Sequence, residues 1–235
     1  MREAFIAAFG RPEGIMLFQL VEAAQFTIYL SLIAFALGGS VAACITLLRI
    51  LPNRWAPRVA TGYIWAFQSA PLLMLLFIFG LGVPRLLGAD VDPWVAASVA
   101  LMLYTSAYLA DVWRGAVETI PPGQWEGARA LGLRFGPTLR LVVLPQVVRV
   151  ALAPTVGFMV QIIKGTSLAY IIGFHDIMAI GKRWANAPVE GTEPFVVYPI
   201  MALIYFALCF PLSRLALRLE ARLGSVGGAP KAAVA

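Results

Sequence analysis

Four stretches of this chain run for a helix length or more without a single Asp, Glu, Lys or Arg. They are the 26 residues between Glu22 and Arg49, the 26 between Arg58 and Arg85, the 18 between Asp92 and Asp111, and the 20 between Glu193 and Arg214. A fifth, from Val150 to Phe174, is broken only by Lys164. A helix that crosses a bilayer needs roughly 20 apolar residues, because it rises about 1.5 Å per residue through a hydrocarbon core of about 30 Å. The expectation is an all-α, polytopic membrane protein with five transmembrane helices. Composition agrees: 60% of the 235 residues are apolar or aromatic, 13% are charged, and the mean hydropathy is +0.83. Soluble domains hold about 25% charged residues. A soluble fold of this length would lack the polar surface to cover itself, which excludes an ordinary cytosolic enzyme and a disordered or fibrous chain.

The formal net charge of +6 would suit nucleic acid, but its placement argues for a lipid membrane. With the N-terminus outside, twelve basic residues fall in inside segments and five (Arg2, Arg11, Arg85, Lys182 and Arg183) in outside ones. That positive-inside bias predicts an N-out, C-in topology. Cys44 and Cys209 both lie within apolar spans and read as small packing residues rather than a disulfide or metal pair. No signal peptide is visible, since the run Phe5–Phe9 is short and Gly10-Arg11-Pro12-Glu13 follows it at once.

The spans are read at about 19–48, 59–83, 94–114, 146–172 and 195–217, with Pro154 kinking the fourth. Residues 1–18 form an extracytoplasmic segment, 19–222 the transmembrane domain, and 223–235 a Gly/Ala-rich disordered cytoplasmic tail. An outer loop with a short helix occupies 174–194, and Asp176 there reads as a loop residue facing solvent.

Between the third and fourth spans lies an inside segment of a different character. Pro121-Pro122-Gly123 ends the third span's continuation. Gln124–Leu131 reads as a short helix stopped by Gly132, a residue suited to the left-handed position after a helix. Trp125, Ala128 and Leu131 fall at i, i+3 and i+6, an apolar stripe, with Glu126 and Arg129 on another face. Gly136-Pro137 starts a second short helix that Pro145 ends. On pattern alone this is a helix–turn–helix across the cytoplasmic side, equally readable as an amphipathic interfacial element.

Glu126-Gly127-Ala128, then three residues, Gly132, nine residues, and Val142-Val143-Leu144-Pro145 resemble the EAA loop of ABC importer permeases, at the same spacing throughout. Gly127 replaces the middle Ala and Val142 the Ile. Phe67-Gln68-Ser69-Ala70-Pro71-Leu72-Leu73, Ala107-Tyr108-Leu109-Ala110-Asp111-Val112-Trp113-Arg114-Gly115 and Lys164-Gly165-Thr166-Ser167-Leu168 resemble motifs of the polar amino acid permeases, in order, from about residue 20 to 220. The resemblance implies a type I ABC importer permease fold in a bacterial inner membrane. It implies a second permease subunit (homo- or heterodimer), a cytoplasmic ABC ATPase dimer, an extracytoplasmic solute-binding protein and an amino acid substrate. Gln124, Trp125, Glu126, Gly127, Ala128 and Gly132 would couple the ATPases, with Trp125 and Ala128 as packing surface, Glu126 as polar contact and Gly132 as tight turn.

No catalytic site is expected. The chain has no phosphate loop, His175 is its only histidine, and Gly-x-Ser-x-Gly is absent. No metal and no cofactor are expected in this chain, with ATP and Mg bound by the partner ATPase. An ionisable group at membrane depth costs about 2.5–3.5 kcal/mol on insertion scales and normally faces a cavity or partner. Lys164 is such a group, and it either meets the solute, pairs with a carboxylate such as Asp111, or snorkels. Gly165, Thr166 and Ser167 beside it, Gln68, Ser69 and Pro71 in the second span, and Tyr104 in the third are the candidate substrate pathway. Their other reading is helix packing. Relatives often carry Asp or Asn at the place of Gly165 and Asn at that of Tyr104, so a neutral or acidic solute is expected. The alternative function is an ion-coupled secondary transporter or channel, whose usual internal repeats are not seen here.

Overall fold

The computed structural model describes residues 2–223. The tail expected to be disordered, Gly224–Ala235, lies outside them. Every regular element among the described residues is helical. In chain order they are α1 (Arg2–Phe9), α2 (Glu13–Ile50), α3 (Ala56–Ser69), α4 (Leu72–Phe77), α5 (Val83–Leu87), α6 (Pro93–Glu118), α7 (Pro122–Ala130), α8 (Phe135–Thr138), α9 (Leu144–Thr166), α10 (Ile177–Ala185) and α11 (Pro194–Leu223).

Helix α6 is the axle, packed against α2, α3, α4 and α9. Its buried face is nearly all small: Ala96, Ala97, Ala100, Thr105, Ser106, Ala107 and Ala110. Lipid offers no hydrophobic gain for helix association, so close approach of backbones supplies the packing energy instead. The α2–α6 crossing shows it, because a Cβ on Gly38 would stand 2.6 Å from the Thr105 side chain. Asp92 starts α6 by accepting the Trp94 N–H at 2.6 Å, a cap of about 1 kcal/mol.

Five crossings are present if the second is allowed to be bent. Helices α2, α6, α9 with its extensions, and α11 are each long and apolar enough to span. The expected continuous second span, 59–83, is instead α3 and the segment Leu72–Leu87, meeting at 95°. Pro71 causes the break. It donates no N–H, and its ring drives Ala70 out of the helical region, to ψ 126°. A π-helical turn at Ile78–Gly82 joins α4 to α5.

Two other boundaries move. The first crossing begins at Glu13 and runs 38 residues, straight through the 18/19 boundary expected from sequence. At about 1.5 Å per residue that is about 57 Å, far beyond a hydrocarbon core, and α1 folds back onto its first turns. The second short helix does not end at Pro145. It runs from Phe135 through a π-helical turn at Leu139–Val143 into α9 and on, by a 3-10 turn at Ser167–Ile172, as one 38-residue rod. The widened turn shifts the preceding carbonyls away from the proline ring, so Pro145 sits in the first turn of α9 without breaking it. Cys209 is buried as expected, whereas Cys44 is exposed on α2.

Candidate functional site

Helix α7 forms an elbow at the end of the bundle where α6 stops and α9 begins. Pro122 suits its first turn, where an N–H would be unpaired anyway. Its stop is Gly132, at φ +76°, donating to the Arg129 carbonyl at 2.9 Å while Leu133 donates to that of Ala128 at 3.1 Å. That left-handed closure is the one expected of Gly132. Ala128 is 4% exposed, and Trp125 is half-buried against the cluster of Ala116, Ile120, Val143 and Val147 and stacked on Phe135 at 6.4 Å. These two therefore face their own bundle, not outward as packing surface for a partner. Gln124, Glu126, Gly127 and Gly132 are exposed, and Gln124 accepts only a 3.4 Å bond from Gln146. Leu131 leaves the stripe, because the helix ends at Ala130 and the glycine turn swings it out to 82% exposure.

The expected pathway residues converge in part. Gln68 donates to the Ala107 carbonyl of α6 at 3.5 Å, and Ser69 and Pro71 are exposed at the bend. Directly after the bend, Leu72 presses on Gly165, where a Cβ would stand 2.9 Å from it. Gly165 thus leaves room on α9 for the Leu72 side chain. Tyr104 joins a stack with Tyr108, at 4.6 Å, and Phe158, at 6.2 Å. Lys164 is exposed on α9, and Asp111 is not its partner, since Asp111 binds Arg114 at 3.0 Å. Thr166 is fully buried and gives its proton to the Ile163 carbonyl at 2.8 Å; Ser167 gives its own to that of Lys164 at 2.6 Å. Neither hydroxyl is therefore free to donate to a solute. Among the described residues no three His, Cys, Asp or Glu side chains come together as a metal site.

Residues 34–225 match the family of binding-protein-dependent transport system inner membrane components. The chain belongs to this family. It is 32% identical to the nopaline transport system permease protein NocM of Agrobacterium fabrum, over 92% of this chain and 94% of that one. It is 33% identical to the L-cystine transport system permease protein TcyB of Bacillus subtilis, over 84% and 83%. Among solved structures it resembles a chain of an amino acid ABC transporter crystallised with histidines, at TM-score 0.79 and 26% identity over 87% of this chain and 94% of that one. The methionine ABC transporter MetNI shares the fold at TM-score 0.72 and 18% identity, over 87% and 97%. The fold is the type I importer permease fold, and the chain is a multi-pass transport component.

Two features of this permease escape a reading of its sequence. Leu131 was placeable only by knowing where α7 ends. Asp176, expected in solvent, is fully buried and caps α10 through the Ala179 N–H at 2.9 Å. The signal was present, since an Asp just ahead of an apolar helical run is a start signal, but burial of the cap is not legible from it.

Proposed function

We propose that this permease is the membrane subunit of an ATP-driven amino acid importer of a bacterial inner membrane, N-out and C-in. It shares the solute pathway with a second permease subunit, a copy or a sister. A dimer of cytoplasmic ATPases seats on the α7 elbow, and an extracytoplasmic binding protein delivers the solute. ATP and Mg belong to the ATPase, and no reaction is catalysed here. The observation that carries the proposal is the two-sided elbow: Ala128 is buried and Trp125 packs on the apolar cluster at the π-helical turn that leads into α9, while Glu126 and Leu131 are exposed. An anchored helix with an exposed apolar tip and a carboxylate suits a groove in another protein, and converts movement of that protein into tilting of α6 and α9.

Along the pathway, Lys164 offers a carboxylate a cation, while Gln68 and Ser69, with the carbonyls loosened by Pro71, offer a polar rim. Gly165 serves by close approach, Tyr104 by its aromatic face, and Thr166 and Ser167 by shaping α9. With a lysine and no carboxylate in this set, the solute is neutral or acidic. The test is capture of a nucleotide-hydrolysing subunit by tagged permease from native membranes. The pair Glu126→Ala and Leu131→Asp is expected to lower capture at least tenfold with the permease still folded. Undiminished capture, or uphill amino acid uptake by the chain alone in vesicles, overturns the proposal. Preferred uptake of arginine or lysine over glutamine or glutamate overturns the solute class.

A further inference from the structure

Helix α11 runs on past the length that a bilayer asks of it. Its first 20 residues, 194–213, carry no charge, and at about 1.5 Å per residue they cover about 30 Å, the depth of a hydrocarbon core. Residues 214–223 extend it by about 15 Å and hold Arg214, Arg218 and Arg222 at steps of four. The buried residues of α11 are Val197, Met201 and Cys209, in clusters shared with α2, α9 and α10. Its exposed side reads Leu203, Phe206, Phe210, Arg214, Arg218 and Arg222, steps of three or four that keep to one face of a helix. An apolar stripe on a crossing helix thus turns basic at the residue where the hydrocarbon ends.

That junction is ordered. The Phe206 and Phe210 rings lie 5.1 Å apart, and the Arg214 guanidinium folds back over Phe210, 5.1 Å from its centroid. Helix side chains lean toward the N-terminus, so this cation is carried toward the apolar block rather than out into water. A charge held at such a boundary normally has a partner. Among the described residues Arg214, Arg218 and Arg222 form no ion pair; both ion pairs present belong to Arg114. Glu220 does not supply one, since at about 100° per residue it falls at least about 120° round the helix from each arginine. The helix dipole favours Arg222 in the last turn, but its effect does not reach as far back as Arg214.

We propose that this end of α11 is a docking site for anionic phospholipid, with Arg214 and Arg218 on the headgroup phosphate and Phe206 and Phe210 along the acyl chains. Headgroups add about 5–7 Å to each face of the hydrocarbon. Arg214 stands at the near margin of that layer and Arg218, about 6 Å further along, at its far margin, so a phosphate between them is within reach of both. A guanidinium meets phosphate through two parallel N–H donors. Three cations against one carboxylate turned aside favour a headgroup of net negative charge over a zwitterionic one. The site requires only that the chain cross a membrane, and does not rest on the importer reading.

The test is hydrogen exchange of the 206–223 peptide in full-length permease, with whatever subunits copurify, in nanodiscs of phosphatidylcholine carrying rising fractions of phosphatidylglycerol. In wild type, protection of the 214–223 amides is expected to rise at least threefold with phosphatidylglycerol. Arg214→Gln with Arg218→Gln is expected to abolish that rise. Arg214→Lys with Arg218→Lys keeps the charge, and is expected to need at least threefold more phosphatidylglycerol for half the effect; this pair also guards against poor insertion of the glutamine pair. Inorganic phosphate added to phosphatidylcholine discs is expected to do nothing. The proposal is overturned by a wild-type profile indifferent to lipid, by a rise that survives the glutamine pair, by a lysine pair equal to wild type, or by phosphate alone reproducing the rise. Protection that ignores lipid and vanishes when copurifying subunits are stripped away also overturns it, and gives the face to a protein partner. The readout involves no transport, so its failure leaves the importer proposal standing, and loss of that proposal leaves the lipid site standing.

Discussion

The two ends of this permease are finished in different ways. Around α10, every link closes within the chain: a buried cap, two side-chain bonds to neighbouring helices, and an apolar cluster of Met16, Leu20, Ile177, Val197 and Met201. Around α7, the inner side is closed by Trp125 and Ala128, while the outer side exposes Glu126, Gly127, Leu131 and Gly132. Apolar surface left in water costs about 25 cal/mol per Å², so Leu131 at 82% exposure is a cost that nothing in its own bundle repays. The α10 end is built to be held together by its own chain. The α7 end leaves its outer side open, as the proposed seat for an ATPase requires.

That contrast is most severely tested at Gly181. A Cβ there would overlap the buried Met201 side chain, so Gly181→Leu is expected to overpack the α10 end, at the upper part of roughly 1–3 kcal/mol. The check is a fall in thermal midpoint of the purified permease; an unchanged midpoint would mean that α10 is loosely held. At the elbow, Gly132→Ala places a side chain at φ +76°, where an L-residue is disfavoured by about 1–2 kcal/mol. It is expected to lower stability less than Gly181→Leu while reducing ATPase capture more, because the turn presents Leu131. The smallest effect belongs to Gly127→Ala. Nothing lies within 4 Å of that position, so the added methyl is expected to stabilise α7 by about 0.5–1 kcal/mol, read as a slight rise in midpoint with capture retained. A loss of capture from one methyl would show that the partner's groove closes directly over Gly127.

Much of this could be read along the chain. Five apolar blocks, a glycine stop at residue 132 and a proline at 71 are local statements about hydropathy and backbone freedom, and the helices follow them. The sequence also shows a polar set in the second, third and fourth spans, yet not that Gly165 lies under Leu72, nor that the Thr166 and Ser167 protons are already spent on their own helix. Side-chain hydroxyls return to carbonyls three residues back whenever the rotamer allows, and a sequence does not record the rotamer.

The sequence by itself settled that this chain lives in a membrane, where its apolar blocks lie and that Gly132 ends the elbow helix, since each depends on a run of neighbours and on what their backbones tolerate. Only the tertiary structure decided which face of each helix is used. It bent the second crossing by 95°, turned Trp125 and Ala128 inward and Leu131 outward, and buried Asp176 where Tyr205 of α11 donates to it. Those choices depend on groups from distant helices meeting within a few ångströms, where dielectric and close packing, rather than the order of residues, set the energy.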